Sequence, residues 1–206
     1  MGQGTTVTVL ALLAVEQADT PITGIDQCLQ ATFGLHGEGL VTALPNRTAV
    51  VANIDFLNLH TFFDAITLMY RVTTRLAAQD HKSADLDAIR ARQTEFAAAV
   101  MAQDALAMIA TNREFHAAIA AAGRNQYYEA LCLRLLDEGR RLLRLYYSSF
   151  DDRLPPEYVT EHEDMILAIE ARDVARADAL ASAHADQIVN QIRALIPRDR
   201  RQKIAL

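Results

Sequence analysis

The sequence has few of the residues that interrupt helices or cross-link a chain. Its 206 residues include eight glycines, five prolines, no tryptophan and two cysteines. Such a composition argues against a loop-rich fold, and 51% of the residues are hydrophobic, which is enough for a sizeable core. Cys28 and Cys132 lie in unrelated segments without a CxxC partner, so we expect free thiols in a reducing compartment.

Long hydrophobic runs and targeting signals are also missing. The apolar run at residues 7–15 has only nine residues, which is too short to span a bilayer. It also lacks the basic leader and the small-residue cleavage site of a signal peptide. The start MGQGTT fits the myristoylation pattern only formally, and we interpret that match as chance. These features predict a cytoplasmic protein that does not contact a membrane.

Positive charge is absent from the first part of the chain. Residues 1–46 contain acidic residues but no lysine or arginine, and the net charge of the whole chain is −6. The first basic residue, Arg47, is the candidate DNA contact in this region, whereas residues 197–206 form a basic tail. An acidic segment is a poor electrostatic match for DNA phosphates.

Residues 1–54 predict a small unit with the order of a winged helix-turn-helix. Helical apolar patterns at residues 5–16 and 22–36 precede a β-branched region at residues 39–54. The turn sequence PNRT divides that region into two apolar segments, which predicts a β-hairpin. We therefore expect a winged-helix-like segment here.

Residues 55–196 predict helices alone, because apolar residues recur at helical spacing throughout. Ser83 suits an N-cap, Gly123 suits a helix end, and prolines interrupt the pattern after residue 154. We predict a mainly α protein with an antiparallel bundle of six or seven helices. The expected helices are 55–80, 83–102, 104–123, 125–150, 156–171 and 173–196.

Six histidines are the candidate ligands of this bundle. His36 and His81 lie beside loop signals and are predicted to be solvated, while His60 stands alone on a helix. His116 differs because Asn112 lies one turn earlier on the same helix face, with Cβ atoms roughly 6 Å apart.

The last two histidines lie on consecutive helices joined by a short turn. These helices should run antiparallel, so His162 and His184 can approach each other. Together with His116 and Asn112 they would supply three imidazoles and an oxygen, a donor set that suits Zn, Ni, Co or Mn. The alternative is three unrelated, partly buried histidines, each paired with a carboxylate.

Two segments, NREFHAAIAAAGRNQYYEAL and EHEDMILAIEARDVARADALASAH, resemble the C-terminal effector-binding (FCD) domain of FadR-type GntR transcription regulators. The resemblance covers about residues 55–195. It implies a divalent metal, zinc above all, whose ligands map onto Asn112, His116, His162 and His184. It also implies a small carboxylate effector bound over the metal. Asn at position 112, where the family has Asp or Asn, removes one negative charge.

The chain departs from the family pattern at two places. The family's first bundle helix carries an Arg followed by a Glu, and these positions correspond to Ile66 and Tyr70. Tyr70 could offer a hydroxyl in place of the missing Arg, and the Arg-rich stretch GRRLLRL at residues 139–145 could turn Arg141 or Arg144 inward. Tyr70 and Arg141 are therefore our candidate effector-binding residues. The stretch in place of the recognition helix, residues 19–33, has no basic residue. This predicts a degenerate winged helix, a truncated N-terminus, or a domain now used for protein contacts.

The leading hypothesis is a homodimeric, DNA-binding transcription regulator that senses a small organic acid. We expect no enzymatic activity, because no general base or nucleophile motif accompanies the histidines. One alternative is a sensor that has lost DNA binding and acts through a protein partner. The other is a metal-dependent enzyme that uses the same ligands.

Overall fold

The computed structural model describes residues 41–43, 49–51, 59–155 and 157–195. The chain divides into two compact units, residues 1–56 and 57–206. In the first unit, strands β1 (Val41–Ala43) and β2 (Ala49–Val51) pair antiparallel, with Val41 opposite Val51. The helices predicted before them and Arg47 lie outside the described residues, so the winged helix remains a prediction.

The described part of the second unit consists of helices. Six helices are described, and each begins and ends within the range expected from apolar periodicity. The prediction of a mainly α bundle is therefore confirmed for the described residues of this unit. None of the described helices is both long and apolar enough to cross a bilayer. The helices are α1 (Leu59–Asp80), α2 (Ser83–Ala102), α3 (Ala105–Ala122), α4 (Gln126–Ser148), α5 (Glu157–Glu170) and α6 (Val174–Leu195).

Helix α1 is central, because it packs against α3, α4, α5 and α6. Its C-terminal half approaches its neighbours closely through Ala77 and Ala78, which are fully buried. Helix α6 contributes small residues to the same core at Ala177 and Ala181. Small side chains let the helix axes come close, which brings longer residues at other levels into mutual contact.

Acidic side chains accept hydrogen bonds from backbone N–H groups at the starts of two helices, and at one of them the residue differs from the predicted one. The Asp104 carboxylate accepts hydrogen bonds from two backbone N–H groups at the start of α3. The prediction of Ser83 as an N-cap is wrong, since Lys82 occupies that position. The Asp85 side chain accepts from the Lys82 N–H at 2.7 Å, so an acidic residue in the first turn satisfies the helix start instead.

Two further residues differ from expectation. His81 is buried rather than solvated, and its Nδ1 lies 2.9 Å from the carbonyl oxygen of Ala77, to which it donates. Gly123 does end α3, but its φ of −75° is open to any residue. A Cβ at position 123 would lie 2.8 Å from the Cβ of Leu76, so close packing against α1 is what requires glycine there.

Candidate metal centre

Three helices of the bundle bring one histidine each to the same buried point. His116 lies on α3, His162 on α5 and His184 on α6, and each is at least 95% buried. The ring centroids are 5.3 Å apart for His116 and His162, 5.3 Å for His116 and His184, and 5.0 Å for His162 and His184. One ring nitrogen from each residue lies within 4.8 Å of the other two.

The orientation of His162 is set by a buried amide on α2. Its Nδ1 lies 2.9 Å from Oε1 of Gln93, and the Gln93 Nε2 donates to the Val159 carbonyl at 3.0 Å. Because the amide nitrogen is already used as a donor, the amide oxygen must accept from the imidazole. The proton of neutral His162 is therefore on Nδ1, and the lone pair on Nε2 faces the other histidines.

A carboxylate plays the same part for His184. Oε2 of Glu161 lies 3.0 Å from Nδ1 of His184. An ionised carboxylate only accepts hydrogen bonds, so Nδ1 of His184 donates, and in the neutral ring Nε2 then keeps a lone pair. Glu161 thus positions an imidazole, as carboxylates beside metal-binding histidines do.

Four buried polar atoms of the three histidines and Asn112 have no hydrogen-bond partner. They are Nε2 of His116, Nε2 of His162, Nε2 of His184 and Nδ2 of Asn112. A buried polar atom left unpaired costs about 1–3 kcal/mol. Three ring nitrogens without partners in one place are consequently a costly arrangement for a core, and they suit an electron-pair acceptor such as a divalent cation.

Burial also keeps two of the histidines in the form that binds metals. Desolvation lowers the pKa of His116 and of His162 well below the usual value, and the neighbouring His184 lowers both further. Both rings are therefore neutral at pH 7, and neutral imidazole is the species that coordinates a metal ion.

Aromatic side chains clamp two of the imidazoles. The ring of Tyr70 stacks on His116 at 4.2 Å and 20°, and the ring of Phe115 stacks on His162 at 4.0 Å and 13°. Such packing restricts ring rotation, so the nitrogens are held ready before a ligand arrives. Burial raises the pKa of Tyr70, and the neighbouring Asn112 side chain acts in the opposite direction.

The remaining candidate residues have different outcomes. Asn112 is buried one turn before His116, and a half-turn of its amide would exchange the unpaired nitrogen for the oxygen. Tyr70, predicted to bind an effector, contacts the cluster through His116. The side chain of Arg141 and the whole of Arg47 lie outside the described part of the chain, so their roles remain predictions.

Sequence reasoning missed the residues that orient the imidazoles. Gln93 precedes its partner His162 by 69 positions, and no local pattern connects them. Glu161 carried a weak signal, since it stands next to His162 in the sequence EHE. Its partner is nevertheless His184 on the following helix, which sequence adjacency does not indicate.

The comparisons with known proteins agree with this architecture. A family model described as the FCD domain matches residues 63–187. No curated protein sequence matches significantly. Among solved structures, Escherichia coli McbR/YncC is similar, with 15% identity, a TM-score of 0.74, and coverage of 92% of this chain and 96% of that one.

Two other solved structures are also similar in fold. A GntR protein from Rhodococcus sp. RHA1 has 16% identity and a TM-score of 0.70, over 94% of this chain and 100% of that one. Lar, which controls the expression of the Listeria monocytogenes agr system, has 13% identity and a TM-score of 0.65, over 95% and 100%. At sequence identities this low, the structural similarity supports a shared fold alone.

Proposed function

Because this chain belongs to the FCD domain family, in the FadR-type branch of the GntR regulators, we propose that it is a ligand-responsive transcription regulator. In this proposal the helical bundle holds a divalent metal ion and senses a small organic acid. The ligands are His116, His162, His184 and the amide oxygen of Asn112. Zinc suits this nitrogen-rich set best, and nickel, cobalt and manganese are the alternatives.

One observation carries the metal assignment. Three buried Nε2 atoms without hydrogen-bond partners lie on converging rings, with one nitrogen of each ring within 4.8 Å of the others. Gln93 and Glu161 hold the tautomers that point two of these lone pairs inward. A divalent ion held by neutral side chains would keep its charge and offer a position to a carboxylate oxygen.

Transmission to DNA requires two arrangements of the regulator. An effector can shift their populations only if it binds one arrangement more tightly than the other. DNA contact by the N-terminal unit would rest on Arg47, backbone amides and helix N-termini, since residues 1–46 have no lysine or arginine. We propose that the regulator acts as a homodimer, as the family resemblance implies.

Elemental analysis of the purified full-length chain tests the metal site. We expect about one zinc, nickel, cobalt or manganese ion per chain in the wild type and a strong loss in His116→Ala. His60→Ala is the matched control, because His60 is exposed on α1. Metal retained at the wild-type level in His116→Ala would remove the assignment.

An electrophoretic mobility-shift assay with the DNA upstream of the protein's own coding sequence tests the regulatory role. We expect a shifted complex at low salt that weakens at moderate salt, because phosphate contacts release counterions. The lack of cations in residues 1–46 favours one second candidate, a sensor that acts through a protein partner. Absence of a shift at every protein concentration would support that candidate instead.

A further inference from the structure

An apolar cavity lies between α1, α4 and α6. Its volume is about 40 Å³, and its walls include Phe63 and Ile66 from α1, Leu136 and Leu143 from α4, and Val189 from α6. These five residues are buried.

Half-exposed side chains form part of the cavity lining nearer to solvent. They are Phe62, Leu135 and Ile188, one from each of the three helices. A cavity whose lining includes both buried and half-exposed side chains gives a small molecule a route to the interior.

The cavity adjoins the histidine cluster. Tyr70 belongs to its lining and also stacks on His116 at 4.2 Å, with its ring centroid 5.8 Å from that of His184. On α6, Ala185 lines the cavity directly after His184 in the chain. A molecule bound beside the imidazoles therefore has an apolar space next to it.

We infer that the effector is a carboxylic acid with a short hydrocarbon tail. The carboxylate binds at the metal centre, and the tail occupies the cavity between α1, α4 and α6. This inference rests on the proposed metal-dependent sensing. It adds the chemical class of the effector, which distinguishes acids with hydrocarbon tails from acids with hydroxylated tails, such as sugar acids.

The lining explains the selectivity. Among the described lining residues Tyr70 alone has a polar side chain. A hydroxyl group on the tail would lose its water partners and find one polar side chain in their place, whereas a methylene group gains from leaving water. The cavity therefore discriminates against hydroxylated tails.

The volume sets the length of the tail. One water molecule needs about 10–15 Å³ of such space, so about 40 Å³ accommodates roughly three waters or a similar number of methylene groups. Each buried methylene is worth about 0.8 kcal/mol, or about fourfold in affinity. Affinity should rise with chain length and then level off after a few carbons.

Isothermal titration of the zinc-loaded, full-length protein tests this inference. The probes are the linear monocarboxylates from acetate to octanoate, together with 4-hydroxybutanoate as the counterpart of butanoate with a hydroxylated tail. We expect about fourfold tighter binding for each of the first few methylene groups and no further gain beyond them. 4-Hydroxybutanoate should bind more weakly than butanoate.

Two matched variants test whether the increase in affinity with chain length depends on the cavity. Val189→Phe fills the cavity and should abolish the gain in affinity with chain length, whereas zinc content should stay at the wild-type level. Leu131→Phe makes a similar enlargement on the exposed face of α4, outside the cavity, and should keep the gain. If Val189→Phe does not fold, Val189→Leu adds a single methylene and should reduce the gain.

The outcomes separate the inference from the proposed function. Equal affinity for all the monocarboxylates, or an undiminished gain in a folded Val189→Phe or Val189→Leu, would overturn the hydrocarbon tail and leave metal-dependent sensing intact. Absence of binding by every carboxylate to zinc-loaded protein would overturn both. A protein that takes up no metal, yet binds long acids better than short ones, would retain the tail site and overturn the metal site.

Discussion

The amide of Gln93 decides which nitrogen of His162 faces the cluster. Its Nε2 is committed to the Val159 carbonyl, so its Oε1 accepts from Nδ1 of His162 and leaves Nε2 unprotonated. Without this acceptor the ring could adopt the other tautomer, in which a proton occupies the inward nitrogen. A neutral residue with no direct part in coordination would thereby control metal affinity.

We therefore predict that Gln93→Leu lowers zinc affinity by about 10–100-fold, the usual effect of removing an orienting partner. Competition against a chromophoric chelator measures the change. Gln191→Leu is the matched control, since Gln191 is a part-buried glutamine whose Nε2 donates to the Ser149 hydroxyl at 3.0 Å. Equal zinc affinity in the two variants would show that Gln93 does not orient His162, and Gln93→Glu should rescue part of the loss.

At the scale of helices, the contact between α1 and the end of α3 depends on one missing side chain. Gly123 lies so close to α1 that an added Cβ would be 2.8 Å from the Cβ of Leu76 and 3.4 Å from the backbone nitrogen of Ala77. Neither neighbour is the flexible end of a side chain. Since α1 carries Tyr70 and α3 carries His116, this contact helps to set the distance between the two stacked rings.

We predict that Gly123→Ala lowers the free energy of unfolding by about 1–3 kcal/mol, the usual cost of overpacking. Urea denaturation followed by circular dichroism measures it. Gly139→Ala is the control, because its Cβ would meet only the half-exposed ring of Phe62, at 3.1 Å. That ring can turn away, and alanine in a helix interior gains about 0.5–1 kcal/mol, so Gly139→Ala should be close to neutral. A Gly123→Ala variant as stable as Gly139→Ala would contradict this account.

For the whole molecule, the neutral histidine cluster links stability to pH. Burial lowers the pKa of His116 and His162 in the folded state, whereas unfolded histidine has a pKa near 6.5. Below about pH 6.5 the unfolded chain therefore binds protons that the folded chain does not, so the free energy of unfolding falls as pH falls. The lowered pKa of Asp178, caused mainly by its hydrogen bond with Arg71, affects stability only at more acidic pH.

We predict that the protein stripped of metal by a chelator is less stable at pH 5.5 than at pH 7.5. The expected loss is about 1.4 kcal/mol for each histidine that stays neutral in the folded state, measured by urea unfolding at both pH values. His116→Phe removes one of these groups and should reduce the difference, while exposed His60 serves as the control through His60→Ala. Identical stability at both pH values would refute the link between the buried cluster and pH.

The sequence alone determined the described helices of the bundle, because helix formation leaves a local signature. Apolar residues at a period of 3.6 and loop signals between segments predicted the six ranges, each of which contains the observed helix. Two local predictions were wrong because another residue decides the local structure. The side chain of Asp85, and not that of Ser83, accepts the hydrogen bond at the start of α2, and His81 is buried against the end of α1 instead of being solvated.

Only the tertiary structure decided which side chains meet in the core. The pattern of the sequence left open whether His116, His162 and His184 share one point or stay apart, and the packing of α3, α5 and α6 brings their rings within 5.0–5.3 Å. The amide of Gln93 and the cavity lined by α1, α4 and α6 likewise had no local signal. Periodicity specifies the inward face of each helix, whereas helix crossing and close packing determine which residues of those faces touch.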